Sequence, residues 1–398
     1  MSFKNFQLHP QILAGITAAG FKTPTPIQKQ AIPKVLQGGD LIGLAQTGTG
    51  KTAAYVLPML NRLIQTKNRK IRALIIAPTR ELAEQIREDI DKLANRTRLR
   101  SISLYGGVSL NPQTQQLKKS VDVVVACPGR LIDHIRQGHM DFSSLEMLII
   151  DEADQMLDMG FIPDIRKIVA HLPEKRQTLM FSATMRKRIK RLTGEMLRRP
   201  ITVQIDNTAP AVTVSHTHFP VEQHLKMKLL LKILNETPIH SALVFTRTKH
   251  RAKRLSDALS RAGYHSTSLQ GNLSQNRRQA ALKGFRSGRY RILVATDIAA
   301  RGIDVSKVSH VVNYDVPSTA EAYIHRIGRT GRAEQKGMAF NLVTREDNDI
   351  LRSIDQLLGA LVKRRILPDF DYAPLQQLIA DKSIRQPKAR RRQRKPMC

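Results

Sequence analysis

The chain has 398 residues, 41% of them hydrophobic, and carries 65 Lys and Arg against 33 Asp and Glu, a net charge of +32. That length accommodates two or three domains with full cores, and the charge suits a polyanionic partner, nucleic acid before an anionic membrane surface. Two cysteines, Cys127 and Cys398, exclude a disulfide framework and a cysteine metal cluster. No apolar run approaches the ~20 residues of a membrane span, and Met1-Ser2-Phe3-Lys4 lacks the apolar core of a secretory signal, so a reducing, cytoplasmic setting without a membrane is expected. Trp is absent and aromatics make up 5%, so recognition should lean on phosphates and sugars rather than on broad stacking platforms.

Residues 1–40 form a helical lead-in. Gln11 to Ala19 is amphipathic and stops at Gly20, Thr23-Pro24-Thr25-Pro26 is a turn, and Ile27 to Leu36 resumes the helix. Leu41 to Leu44 is a buried strand, followed by Ala45-Gln46-Thr47-Gly48-Thr49-Gly50-Lys51-Thr52 and a helix over Ala53 to Leu63. Strand, Gly-rich loop, Lys-Thr and helix is the order that a phosphate-binding loop requires. The glycines let backbone N–H groups turn toward phosphate oxygens, and the helix N-terminus adds partial positive charge. Lys51 then reaches the outer phosphates and the Thr52 hydroxyl ligates Mg²⁺. The usual pattern opens with Gly, where this chain has Ala45.

Short apolar runs then alternate with helical stretches such as Glu81–Leu93. The runs are Ala73–Ala77, Ser101–Leu104, Val121–Ala126, Met147–Ile150 and Thr178–Phe181. Such alternation predicts βαβ units and a mostly parallel sheet, whose ligands sit at the C-terminal strand ends. Asp151-Glu152-Ala153-Asp154 follows one run directly. A carboxylate there, beside a phosphate loop, can hold Mg²⁺ through its water shell, and Glu152 can orient and deprotonate an attacking water; alone, such a tetrad is an ordinary helix cap. The pattern breaks around Asp206-Asn207-Thr208-Ala209-Pro210. A linker at 207–212 therefore joins a first domain, 1–206, to a second, 213–367, whose strand candidates are Ala242–Phe245, His265–Leu269, Arg291–Ala295, His310–Asn313 and Met338–Val343. Residues 368–398 form a tail without an acidic residue after Asp381, expected to be a disordered basic arm for RNA.

With the phosphate loop, Asp151-Glu152-Ala153-Asp154 resembles the signature of DEAD-box RNA helicases, and the resemblance continues in order from Phe3 to about Val343. It implies two RecA-like parallel-sheet domains in tandem and a dependence on ATP and Mg²⁺. Gly20-Phe21 and Pro24-Thr25-Pro26-Ile27-Gln28 resemble the adenine-reading motif, with Gln28 reading the base edge through its amide and Phe3 stacking on the base. Gln46, Thr47, Gly48, Thr49, Gly50, Lys51 and Thr52 would hold the phosphates and metal, with Asp151, and Asp304 the ribose hydroxyls. Pro78, Thr79, Arg80, Gly107, Pro128, Gly129 and Arg130 resemble the first domain's contacts to the RNA backbone. Arg247, Gly271, Gln275, Arg278, Thr296 and Asp297 resemble those of the second. Cys127 stands where the family usually has Thr, which puts one hydroxyl contact in doubt.

The resemblance further implies that Ser182 and Thr184, through hydroxyls bridging to Asp154 and His325, couple hydrolysis to strand separation. His325 and Arg326 would organise the cleft, and Arg329 and Arg332 would be arginine fingers, worth roughly 10³–10⁵ in rate where such fingers operate. Closure of both domains on ATP and single-stranded RNA would then pry apart a few base pairs, so that short RNA duplexes are unwound or remodelled locally. An RNA clamp or annealing chaperone with little turnover is the competing reading, which intact Lys51, Asp151, Glu152, Arg329 and Arg332 oppose; a DNA helicase is a third. The short N-terminus and basic tail resemble the bacterial RhlE-like branch, whose members serve ribosome assembly, RNA decay or cold adaptation. A cleft complete within one chain implies a monomer.

Overall fold

Every apolar run picked out above becomes a strand, and the pairings between neighbours are parallel. The protein is seen in a computed structural model that describes residues 2–46, 48–66, 70–205, 214–300, 308–331 and 337–372. The expected linker and most of the expected tail lie outside the described residues. Two compact units are present.

The first sheet comprises β1 (Leu41–Leu44), β2 (Ala73–Ile76), β3 (Ser101–Leu104), β4 (Val123–Ala126), β5 (Met147–Ile150), β6 (Gln177–Ser182) and β7 (Ile201–Gln204), in the order β3-β4-β2-β5-β6-β1-β7. The second comprises β8 (Val214–Pro220), β9 (Ala242–Phe245), β10 (Ser266–Leu269), β11 (Ile292–Ala295), β12 (His310–Asn313), β13 (Gly337–Val343) and β14 (Lys363–Arg364), in the order β10-β11-β9-β12-β13-β8-β14. Raising each strand number of the first order by seven gives the second, so the RecA-like topology occurs twice in tandem.

Period-two alternation divides each central run between two cores. On the first sheet Ile75, Val125, Ile149 and Phe181 face the helices Pro26–Leu36, Lys51–Leu63 and Arg80–Leu93. Leu74, Val124, Leu148 and Met180 face the helices Pro128–Arg136, Ile162–Val169 and Lys187–Met196. Sequence periodicity missed β7, β8 and β14, because of edge position or mixed composition. β7 lies at a sheet edge and buries only Val203, β14 is an exposed Lys-Arg pair, and β8 mixes polar with apolar residues. β7 takes its register from β1, β8 from β13 and β14 from β8, rather than from an apolar run. The packed chain also extends past Leu367. Phe370 packs against the second unit's core, and the Tyr372 ring is buried in it with its hydroxyl accepting from the Leu367 amide at 3.1 Å. Packed chain therefore reaches Tyr372, past residue 368, where the tail is expected to begin.

At the N-terminal strand ends of the first unit, Arg72 is 1% exposed. Its guanidinium pairs with Asp122 at 2.9 Å and donates to the Leu63 carbonyl at 2.8 Å and the Thr66 hydroxyl at 2.7 Å. Its backbone meanwhile bonds Asp122 and Met147, which ties the starts of β2, β4 and β5 together. Breaking a buried pair strands the surviving charge. Arg72→Ala should therefore lower the stability of this unit by about 3–5 kcal/mol in urea unfolding; an unchanged midpoint would show that the pair does not hold the strand starts.

Candidate nucleotide and nucleic-acid site

The loop after β1 turns at Gly48 (φ 82°) and Gly50 (φ 91°), both left-handed. Gly50 is needed twice over, because a Cβ there would lie 2.5 Å from Gln28 Nε2. The Thr49 hydroxyl closes the turn on the Gln46 carbonyl at 2.7 Å. Ala45 is buried and its amide donates to the Ser182 carbonyl at 3.1 Å. It continues the strand without a positive φ, so the missing first glycine does not disturb the loop. Thr47 lies outside the described residues.

Lys51 opens the helix Lys51–Leu63, 5% exposed, and its Nζ has no hydrogen-bond partner. A buried cation without a partner is costly unless an anion arrives. Thr52, half-buried, follows it on the same first turn. Gln28 is buried, accepting from the Thr25 amide at 3.0 Å and donating to the Gly50 carbonyl at 3.0 Å. An amide with one donor and one acceptor engaged keeps one of each for a base edge. Phe3 departs from expectation. It is 4% exposed, edge-on to Phe6 and stacked on Phe21, whereas Phe21 is 42% exposed. The aromatic open to a base is Phe21, with Phe3 behind it.

Asp151 lies at the end of β5, beside this loop's helix. Its carboxylate accepts from the Tyr55 hydroxyl at 2.8 Å and from the Glu152 amide at 2.9 Å. Burial pushes its pKa up, and the Lys51 charge opposes that shift. Burial, and then the Asp151 charge, raises the Tyr55 pKa well above its ordinary value, so the phenol stays a donor. Sequence reading missed Tyr55; its signal was a hydroxyl one helical turn after Lys51. Glu152 is 2% exposed and left-handed (φ 52°, ψ 51°), an uncommon backbone for a non-glycine residue that concentrates at functional sites. No group of three or more candidate metal-ligating side chains occurs among the described residues. A Mg²⁺ held by Thr52, Asp151, water and phosphate oxygens needs none. An orphaned buried ammonium, left-handed glycines and a buried carboxylate fit ATP with Mg²⁺.

Asp154 accepts from the backbone amides of Ala183 and Thr184 at 3.0 and 3.2 Å. The Thr184 hydroxyl is at 3.5 Å, and the Ser182 hydroxyl donates to the Thr184 carbonyl at 2.8 Å. The expected link between Asp154 and Ser182-Ala183-Thr184 therefore runs chiefly through amides rather than hydroxyls.

The remaining motifs of the first unit converge beyond β2, β3 and β4. Thr79 caps the helix Arg80–Leu93, with Pro78 buried before it. Arg80 lies so close to Gly107 (φ 77°) that a Cβ there would clash with its guanidinium. Arg130 donates to the Val108 carbonyl at 2.9 Å, and Pro128 and Gly129 open its helix, Gly129 exposed. The result is a surface of two arginines, loop amides and two helix starts, suited to phosphates. Cys127 caps the Pro128–Arg136 helix without a side-chain bond, and burial pushes its thiol up to about 12. It stays a protonated thiol with low redox reactivity.

In the segments that carry the second sheet, Arg247 is exposed after β9, its amide fixed by Asp315 at 2.8 Å. Gly271 is exposed, and Gln275 is buried with neither amide atom hydrogen-bonded. Arg278 donates to the Gln270 carbonyl at 3.2 Å. Thr296 and Asp297 follow β11, half-buried. The helix Ala320–Ile327 carries His325, half-buried, and Arg326, which is buried with Nη1 donating to Asn313 Oδ1 and the Asp315 carbonyl, each at 2.7 Å. Arg329 is buried just beyond. Asp304 and Arg332 lie outside the described residues.

A family model described as DEAD/DEAH box helicase matches residues 25–192, and one described as helicase conserved C-terminal domain matches residues 225–334. The DEAD-box ATP-dependent RNA helicase RhpA of Helicobacter pylori is 44% identical over 86% of this chain and 70% of its own. CshA of Bacillus licheniformis, of the same description, is 42% identical over 94% of this chain and 77% of its own. Among solved structures, S. cerevisiae Dbp5 bound to RNA and ADP BeF3 is similar with a TM-score of 0.81 at 30% identity, covering 96% of this chain and 99% of that one. A DEAD box protein from Methanococcus jannaschii gives a TM-score of 0.54 at 35% identity, covering 92% of this chain and 99% of that one. From the phosphate loop to the last arginine motif, this chain belongs to the DEAD-box ATP-dependent RNA helicases.

Proposed function

We propose that the protein is an RNA-stimulated ATPase that locally unwinds or remodels short RNA duplexes. The observation that carries the ATPase half is Lys51, buried at the end of a glycine loop with no hydrogen-bond partner for its ammonium. The RNA half is supported by the arginines, loop amides and helix starts gathered beyond β2, β3 and β4. Family membership joins the two halves.

In this reading Lys51 and the loop amides bind the triphosphate, Phe21 and Gln28 hold the adenine, and Thr52 and Asp151 hold Mg²⁺. Mg²⁺, when bound, neutralises charge on the phosphates. Tyr55 orients Asp151. Glu152, kept in place by its left-handed backbone, takes the proton of the attacking water. Asp154 transmits the state of this strand end to Ser182-Ala183-Thr184 through their amides. Arg329 is assigned the finger role on the second unit, and Arg332, outside the described residues, is assigned with it. RNA contacts on both units make RNA and ATP affinity reciprocal. Residues 1–206 and 213–367 are assigned as the two domains, with packed chain reaching Tyr372 and a basic arm beyond. A cytoplasmic monomer acting on RNA is the setting that fits, and among the described residues no helix is long and apolar enough to cross a membrane.

Steady-state ATPase assays with and without single-stranded RNA check this. Wild type should be stimulated by RNA but not by the matching DNA oligonucleotide, since the 2′-hydroxyl distinguishes the two. Glu152→Gln should lose about 10²–10⁴ of the rate while still binding RNA. RNA binding without turnover in wild type would instead establish the clamp. The two aromatic positions should separate cleanly. Phe21→Ala should raise the KM for ATP with little change in Tm, whereas Phe3→Ala should cost about 3–5 kcal/mol of stability. The reverse pattern would return the base-stacking role to Phe3.

A further inference from the structure

Behind Arg326 the second sheet buries a row of polar side chains that no step above uses. Asn313 on β12, Asn341 on β13 and His218 on β8 are all at most 1% exposed. Asn313 Nδ2 lies 2.7 Å from Asn341 Oδ1, and Asn341 Nδ2 lies 3.0 Å from His218 Nδ1. His218 Nε2 lies 3.8 Å from Asp355 Oδ1, on the helix Asn348–Leu358. The Tyr323 hydroxyl accepts from Asn341 Nδ2 at 3.2 Å and lies 2.8 Å from His216 Nδ1.

The direction of this chain is forced. A guanidinium only donates, so Asn313 must present its oxygen to Arg326 at 2.7 Å. Its NH₂ then faces Asn341, which must accept with its oxygen and turn its own NH₂ to His218. His218 Nδ1 is therefore an acceptor, and the neutral ring carries its proton on Nε2, toward Asp355. Each orientation follows from the one before, from a fixed cation to an acidic helix. The Arg326 guanidinium also lies 4.8 Å over the Phe245 ring, so its plane is held as well as its hydrogen bonds.

We propose that Asn313, Asn341 and His218 are positioning residues for the ATPase, a one-directional hydrogen-bond chain that fixes Arg326 and through it the helix carrying His325 and the segment leading to Arg329. The proposal rests on the functional reading above. The charged and titratable groups facing His218 are Asp355, Arg364 on β14 and His216. Burial foremost holds the His218 pKa down, to about 4, with Asp355 opposing and Arg364 and His216 assisting. Its neutral form, and with it the chain, persists across the neutral range.

Asn341→Asp tests this in the full-length protein. The carboxylate replaces the NH₂ donor by an acceptor, so His218 Nδ1 must now donate, which only the protonated ring does when Nε2–H also faces Asp355. A new carboxylate raises the His218 pKa. The chain is then complete below that raised pKa and lost as pH rises through it. The ratio of variant to wild-type kcat, with RNA saturating, should fall about tenfold between roughly pH 6 and pH 8, with the KM for ATP little changed. A ratio independent of pH would overturn the proposal, since a residue that merely supports folding would shift Tm and not this profile. If the variant fails to fold, nitrogen NMR of wild-type His218 decides: a proton on Nε2 supports the chain, and a proton on Nδ1 overturns it. Absence of RNA-stimulated turnover in wild type would fail the functional reading, and the tautomer would still test the chain.

Discussion

A lysine ammonium sits buried at the start of a helix with no hydrogen-bond partner. Three other buried cations are hydrogen-bonded. Arg72 has Asp122 and two further oxygens, Lys226 has the Tyr314 carbonyl and lies within 3.9 Å of Asp315, and Arg326 has Asn313 and the Asp315 carbonyl. A matched cation is explained by the fold; Lys51 is explained by a ligand. The glycine turns beside it, the carboxylate of Asp151 held by Tyr55, and the left-handed Glu152 all take their meaning from the phosphate that Lys51 would bind.

The two ends of the first sheet divide the work. At the N-terminal strand ends, Arg72 and Asp40 use their charge on internal partners. The Asp40 carboxylate accepts the Thr178 and Arg198 amides at 2.7 and 2.6 Å, closing the starts of β6 and of the segment before β7. At the C-terminal ends, helices begin where strands stop, and their first residues are those that bind or react. Parallel topology produces this asymmetry, because every βα junction falls at the same end. In the second unit, whose sheet has the same order, Arg247, Thr296 and Arg326 again follow or contact C-terminal strand ends.

Much of this was legible in the sequence. The central strands are buried on both faces and read as continuous apolar runs, and the phosphate loop and acidic tetrad announce themselves by spacing. Positions that depend on a partner's geometry were not. β7 and β14 carry no apolar run because an edge strand has little to bury. The roles of Phe3 and Phe21 depend on which ring faces the core. The Asp154 link runs through amides, which every residue possesses and no sequence distinguishes. Asn313 and Asn341 stand ordinary in a strand until parallel register sets them side by side, at a separation that only β12–β13 pairing creates.

The measurement that bears most directly on the account is the stability and nucleotide affinity of Lys51→Met, by calorimetry on the full chain. An apolar isostere removes the ammonium placed for the phosphates, so MgATP binding should be lost while the nucleotide-free variant stays folded, its buried Asp151 left without the opposing Lys51 charge. A variant that still binds MgATP with wild-type affinity would mean that Lys51 does not hold the phosphates, and the reading of this loop as a phosphate cradle would fall with it.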